Sequence, residues 1–300
     1  MRDVVKDFKL LFSKEMWQRT FSIAAKEYKD RFRNIWIIFL AVAFLLITIF
    51  VSFYGTSGTE GSGWRDYQHT ILWMSTNVEY MIPIFAIVLG YGSVISEKES
   101  GSLELLLSYP VDRGEVIAGK FLGLWGVLIT CITLGLTVGG LVVGLKVGFL
   151  FWPDFYLFVL SSILLGGVYL SLAIFISAAM ESSTSAMSTS IFIYFFFSLI
   201  WFFSMYALAE STFGWSVMED PAMDPPKWYF GLQFFNPLII WFTLLGLNIE
   251  SFEAWALEFG GSQPVSHPTY FDTWIMIFVL IIWIAVPLVL AEYVFKRKEI

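Results

Sequence analysis

The stretch IWIIFLAVAFLLITIFVSFY, Ile35 to Tyr54, contains no charged residue in 20 positions. At 1.5 Å of rise per residue a helix of that length is about 30 Å long, the thickness of a bilayer's hydrocarbon core. Five more apolar blocks follow, at about Thr76 to Ile95, Phe121 to Leu145, Phe155 to Ala179, Thr189 to Ala209 and Trp274 to Phe295. Hydrophobic residues make up 57% of the 300 positions and charged residues 14%, whereas a soluble domain has roughly 25% charged residues. The fold class that follows is all-α integral membrane with six transmembrane helices, because a helix satisfies its own backbone groups in lipid. The 34 residues ahead of the first block, and that block's length, predict a span that is retained rather than a cleaved signal peptide. One cysteine, Cys131, and two distant histidines, His69 and His267, exclude a disulfide framework and argue against a Cys/His metal site.

The basic residues orient the chain. Nine Lys and Arg precede the first span, three lie in the second loop and three follow the last span, so one side carries 15. The first, third and fifth loops carry one each, and the fourth carries none. By the positive-inside rule both termini are expected in the cytoplasm, with residues 296–300 as a cytoplasmic tail. The outer loop, about residues 210–273, carries eight acidic residues and one Lys. This places most of the net charge of −7 outside, as a solvated acidic surface or a cation-attracting vestibule.

Trp228 to Asn248 is long and apolar enough to be a seventh span, but a crossing there would carry Lys296, Arg297 and Lys298 outside. Asn236-Pro237 also interrupts helical hydrogen bonding near its middle. Pro226 to Phe259 is therefore read as helices that dip into or lie along the outer leaflet, with Trp228, Tyr229, Trp241 and Trp255 at the lipid–water boundary. A small folded outer domain is the alternative. The Gly- and Ser-rich run from Gly55 to Gly63 reads as a flexible connector.

Ion-coupled transporters and intramembrane hydrolases need ionisable groups at depth. Here Glu79 is expected within a turn or so of the outer end of the second span and Glu292 near the inner end of the sixth, leaving the span middles without Asp, Glu, Lys, Arg or His. The energy for any transport must then enter elsewhere. Small residues recur four apart, as Gly119 and Gly123, Gly135 and Gly139, Gly140 and Gly144, Ser162 and Gly166, and Gly167 and Ser171. Such spacing lets helix backbones approach closely, either within one subunit or at a dimer seam.

The loop at about residues 96–120 holds the candidate site. It reads Ser96-Glu-Lys-Glu-Ser-Gly-Ser-Leu-Glu-Leu-Leu-Leu-Ser-Tyr-Pro110 and continues to Arg113 and Gly119-Lys120. Ser102 to Ser108 is predicted as a short amphipathic helix stopped by Pro110, and Asp112 with Glu115 as the capping pair that launches the third span. Gly114 to Lys120 matches most of a phosphate-binding P-loop, but Phe121 stands where a Ser or Thr would ligate magnesium and no strand precedes it. That match is read as coincidence, so no catalysis and no nucleotide site are expected in this chain.

These residues resemble the permeases of type-2 ABC transporters. In that family the second cytoplasmic segment has an acidic-basic-acidic triplet, a Gly-Thr/Ser-Leu, a Leu run, Pro, Arg and Gly-Lys. The matching positions here are Glu97-Lys98-Glu99, Gly101-Ser102-Leu103-Glu104, Leu105 to Leu107, Pro110, Arg113 and Gly119-Lys120. The likeness extends to an amphipathic helix before the first span, at Ile23 to Asn34 within the N-terminal segment 1–34. Phe234-Phe-Asn-Pro237 is similar to the segment before the last span in NosY-like permeases, from which the chain departs by about 20 additional N-terminal residues and a Trp-rich outer loop.

The resemblance implies a non-catalytic permease of the cell membrane, coupled to two cytoplasmic ABC ATPase subunits that bind ATP and Mg. It also implies a second permease copy, as a homodimer or a heterodimer, and allows an outer-face partner protein; nucleic acid is not expected. The segment near Ser102 to Ser108 would be the coupling helix, with Glu97, Glu99, Gly101, Leu103, Glu104, Leu106, Leu107 and Arg113 at the ATPase contact. The implied role is export of a compound or delivery of movement to the outer face. A membrane scaffold without transport is the alternative.

The charge bias sets an expected topology. In a Cys131→Ser background, cysteines introduced near Gly61 and Ser262 should react with an impermeant reagent applied from outside, whereas one at Glu299 should not; an externally labelled Glu299 would overturn six spans.

Overall fold

The computed structural model describes residues 14–55, 67–102, 111–147, 152–213, 227–249, 252 and 271–297, and all regular structure among them is helical. Helix α1, Lys14–Phe32, is polar and precedes the apolar α2, Ile35–Gly55. Helix α3, Tyr67–Gly90, breaks at a short turn before α4, Ile95–Glu99. Helices α5, Arg113–Val147, and α6, Trp152–Ala179, are long and apolar. Helix α7, Ser183–Phe195, runs through a π-turn at Phe196–Ile200 into α8, Trp201–Phe213. The short α9, Lys227–Leu232, and α10, Pro237–Gly246, precede the last helix, α11, Thr273–Arg297.

Six of these helical runs are long and apolar enough to cross a membrane: Ile35–Tyr54, Thr70–Glu99, Arg113–Leu145, Pro153–Ala179, Ser183–Thr212 and Thr273–Arg297. Helix α6 is the hub, with α3, α5, α7, α10 and α11 packed on it, while α2 packs on α3 and α5. The polar α1 lies along α5. It begins nine residues before the expected Ile23, and in the added stretch Arg19 reaches Glu115 of α5.

The small residues are spent on contacts within the chain. A methyl group at Gly123 would lie 2.5 Å from the Ala24 carbonyl oxygen, and one at Gly119 would lie 2.8 Å from the Ile23 side chain, so both glycines admit α1. Gly135 and Gly139 admit Phe44, Thr48 and Ser52 of α2, Gly140 admits Phe155, and Gly167 admits Ile284 of α11. Ser171 Oγ reaches the Trp283 carbonyl at 3.3 Å.

Two expectations need correction. The second crossing helix starts at Tyr67 rather than Thr76, so Glu79 lies twelve residues, about 18 Å, along it. This helix thus carries one carboxylate well away from its ends, and that carboxylate has no ion-pair partner among the described residues. Trp241 is not at a lipid boundary: it is fully buried, donates from Nε1 to Ser161 Oγ at 3.1 Å and stacks near Phe158. An indole with a polar partner inside the bundle gains more from that hydrogen bond than from an interfacial position. Trp228 remains about half exposed, and Trp255 lies outside the described residues.

The interrupted stretch is sharply bent. Its two helices meet at 116° across Asn236. The Asn236 Oδ1 accepts from the Leu238 and Ile239 N–H groups at 2.9 and 3.3 Å and so caps α10, whose first residue is Pro237. Its Nδ2 donates to the Phe197 carbonyl in the π-turn at 2.8 Å. Trp283 Nε1 donates to the Phe234 carbonyl at 3.1 Å. The bent pair is thereby fastened to α11 and to the α7–α8 run.

Because Gly123 meets backbone rather than a movable side chain, Gly123→Val should destabilise the detergent-purified protein by about 1–3 kcal/mol, typical of overpacking, and expose α1 to protease. Gly231→Ala, with open space at its α-carbon, should leave the thermal midpoint unchanged or slightly raised.

Candidate functional site

A cluster of charged side chains forms where α1, α4, α7, the start of α5 and the end of α11 meet. The start of α5 is built as expected, with Glu115 accepting the Asp112 N–H at 3.1 Å. The same carboxylate receives Arg19 of α1 in a two-pronged contact, Nη2 to Oε1 at 2.8 Å and Nε to Oε2 at 3.1 Å. Hydrogen bonding to Glu115 favours the guanidinium and raises the Arg19 pKa above its ordinary value, so Arg19 stays charged at any working pH. One glutamate thus caps a helix and anchors another.

One turn and a half further along α5, Lys120 is 1% exposed. Its Nζ lies 2.7 Å from Glu27 Oε1 of α1 and 2.7 Å from Glu97 Oε1 of α4. Glu27 has a further, looser contact with Arg31 at 4.0 Å. A buried ammonium is tolerated only when carboxylates surround it, and here two do. The second Glu97 oxygen is buried with no hydrogen-bond partner among the described residues.

Glu99, at the end of α4, accepts from the Ser183 N–H at 2.8 Å and from its Oγ at 2.5 Å, which ties α4 to the first residue of α7. The turn between α3 and α4 is sealed from α6, where Ser177 Oγ accepts the Val94 and Ile95 N–H groups at 3.0 and 3.1 Å. Gly101 has φ of 73°, a left-handed conformation that suits glycine and turns the chain out of α4. Arg113 donates from Nη1 to the Phe295 carbonyl at 2.5 Å and stacks on its ring, joining α5 to α11.

Of the residues predicted for a partner contact, Glu97, Glu99 and Arg113 therefore hold partners inside this chain. Leu103, Glu104, Leu106 and Leu107, with the expected Ser102 to Ser108 helix, lie at or beyond the edge of the described residues. Sequence reasoning missed Glu27, Arg19 and Ser183. The α1 charges had the expected amphipathic pattern, but their partners lie 93 and 96 positions away, and Ser183 lies 84 positions from Glu99. Gly114 to Lys120, the partial P-loop match, is the start of a helix rather than a loop, and its lysine is committed to Glu27 and Glu97. Among the described residues no group of three His, Cys, Asp or Glu side chains is placed to hold a metal.

The comparisons with known proteins agree on one family. The profile of the ABC-2 family transporter protein matches residues 21–300. A probable ABC transporter permease protein NosY of Stutzerimonas stutzeri is 29% identical over 293 residues, covering 93% of this chain and 99% of that protein. A protein of the same description from Pseudomonas aeruginosa is 28% identical over 285 residues, covering 93% and 98%.

The Lys120 triad makes a measurable demand on stability. Lys120→Met leaves two carboxylates facing each other and should cost about 3–5 kcal/mol, the usual cost of breaking a buried pair from one side. Adding Glu27→Gln and Glu97→Gln should restore most of the loss in a thermal unfolding series. A triple variant no more stable than Lys120→Met would show that the triad does not act as a unit.

Proposed function

The chain belongs to the family of ABC-2 transporter proteins, and from that premise we propose that this multi-pass permease subunit receives its power from a separate ATPase docked on Ser96 to Arg113. Both termini and this segment face the cytoplasm, and the protein sits in the cell membrane. Two ATPase subunits carry the ATP and Mg. A second copy of the permease completes the assembly.

The observation that carries this reading is the set of ties at the two ends of the segment. On one side Glu97 reaches Lys120 and Glu99 reaches Ser183; on the other Glu115 reaches Arg19 and Arg113 reaches Phe295. A displacement of the segment is therefore passed to α1, α5, α7 and α11 together. Rigid helices linked by short charged contacts carry such a displacement along the bundle, which is what coupling to a partner requires. The apolar anchors Leu103, Leu106 and Leu107 would supply most of the docking energy, with Glu104 as a rim charge and Gly101 as the bend that presents them.

Two outcomes of that movement fit the bundle: export of a compound, and delivery of motion to a protein at the outer face. The hydrogen bonds from Asn236 to Phe197 and from Trp283 to Phe234 favour keeping the second in view, because they connect the bent α9–α10 pair to two of the crossing helices. A scaffold without an ATPase is the competing function, and copurification decides it.

Leu106→Asp should abolish copurification of the ATPase, or uncouple its hydrolysis from activity, while membrane insertion stays intact. Glu104→Ala should have a weaker, salt-dependent effect that is largest at low salt and fades as salt screens the charge. The isolated chain should show no ATP turnover. If Leu106→Asp leaves assembly and activity unchanged while a substitution on the exposed face of α1 destroys both, α1 is the docking surface instead.

A further inference from the structure

A cavity of about 530 Å³ adjoins the charged network between the α1–α2 elbow, the end of α3 and the start of α7, and shares Arg31 and Ser183 with it. Its polar lining includes Arg31, Asn34 and Tyr91, and its apolar lining includes Trp36, Phe39 and Val88. The two kinds of lining are ordered along the chain. Arg31 and Asn34 close α1, while Trp36, Phe39 and Leu40 begin the first crossing helix.

The charge at the polar end is incompletely matched. Glu27, the carboxylate nearest Arg31, is 4.0 Å away and already engaged by Lys120. Asn34 Oδ1 accepts the Trp36 N–H at 2.9 Å, which leaves its Nδ2 as an available donor among the described residues. Lys26, Lys29 and Arg33 are exposed on the same part of the chain, with Asp30 as the one exposed acid among them. On the far wall Glu99 directs both oxygens at Ser183. The arrangement presents a cation and an amide donor above an apolar wall, next to lipid.

We propose that this cavity binds the headgroup of one anionic phospholipid, with Arg31 and Asn34 on the phosphate and an acyl chain along Phe39 and Val88. The membrane itself supplies the occupant. Basic juxtamembrane residues are attracted to anionic lipid surfaces, and aromatic side chains such as Trp36 favour headgroup depth. A bound lipid would wedge the α1–α2 elbow against α3 and α7, so its presence would set how firmly α1 is held at the ends of the crossing helices.

The test uses the full chain purified in detergent, equilibrated with mixed phosphatidylglycerol and phosphatidylcholine, and examined by native mass spectrometry. Wild type should retain one phosphatidylglycerol per chain in preference to phosphatidylcholine. Arg31→Ala should reduce that retention about tenfold. Val88→Trp, which fills the apolar end without changing charge, should reduce it similarly, and Arg33→Ala much less. Thermal midpoints matched to wild type identify variants that remain folded, and Asn34→Asp serves as a second charge probe should Arg31→Ala unfold. Equal retention of both lipids by wild type, or unchanged retention in both Arg31→Ala and Val88→Trp, would overturn the proposal. Displacement of the lipid by millimolar inorganic phosphate, with no loss in Val88→Trp, would identify a simple anion site and equally overturn it.

Discussion

In a hydrocarbon environment no water is available for a backbone N–H or C=O, so every break in a helix has to be closed by another part of the chain. Three breaks among the described residues are each closed by a named side chain. At the turn between α3 and α4, Ser177 accepts two backbone amides. At the bend before α10, Asn236 caps the new helix with its own oxygen. At the π-turn between α7 and α8, the Asn236 nitrogen donates to Phe197. One asparagine thus serves two breaks on different elements, and its burial at 1% exposure follows from that double duty.

The same accounting governs the charged end. Lys120 and Glu115 lie in the first turns of α5, where the helix is covered by α1 and little water remains. Burial of either charge alone would be costly, so each is matched by a residue from α1, and Lys120 also by one from α4. The polar α1, which has no apolar length with which to enter lipid, is consequently held by ion pairs and by the flat surface of Gly119 and Gly123. Position and charge reinforce each other there. That is why α4 and the start of α5 are each attached to several helices at once.

Composition and periodicity were enough to determine the fold class, six crossing helices, the Asp112–Glu115 cap and the break at Asn236-Pro237. These depend on local rules: apolar length against bilayer thickness, a capping residue three positions from its acceptor, and a proline without an N–H. The motif around Glu97, Gly101 and Pro110 also pointed to the family that the comparisons identify. Helix ends were less legible. Glu79 is expected near the end of its span because the apolar window begins at Thr76, whereas the helix, packed on α6 and α2, reaches back to Tyr67.

What only the tertiary structure decided is which polar groups meet. Lys120 sits in a partial nucleotide-binding pattern by sequence, yet its partners are Glu27 and Glu97, 93 and 23 positions away. Trp241 carries the composition of an interfacial anchor, yet Ser161, 80 positions earlier, draws it into the core. Local sequence determines that each helix forms, because its hydrogen bonds close within four residues. The pairing of buried charges and indoles depends on which helix faces are brought together, and long-range packing around α6 alone sets that.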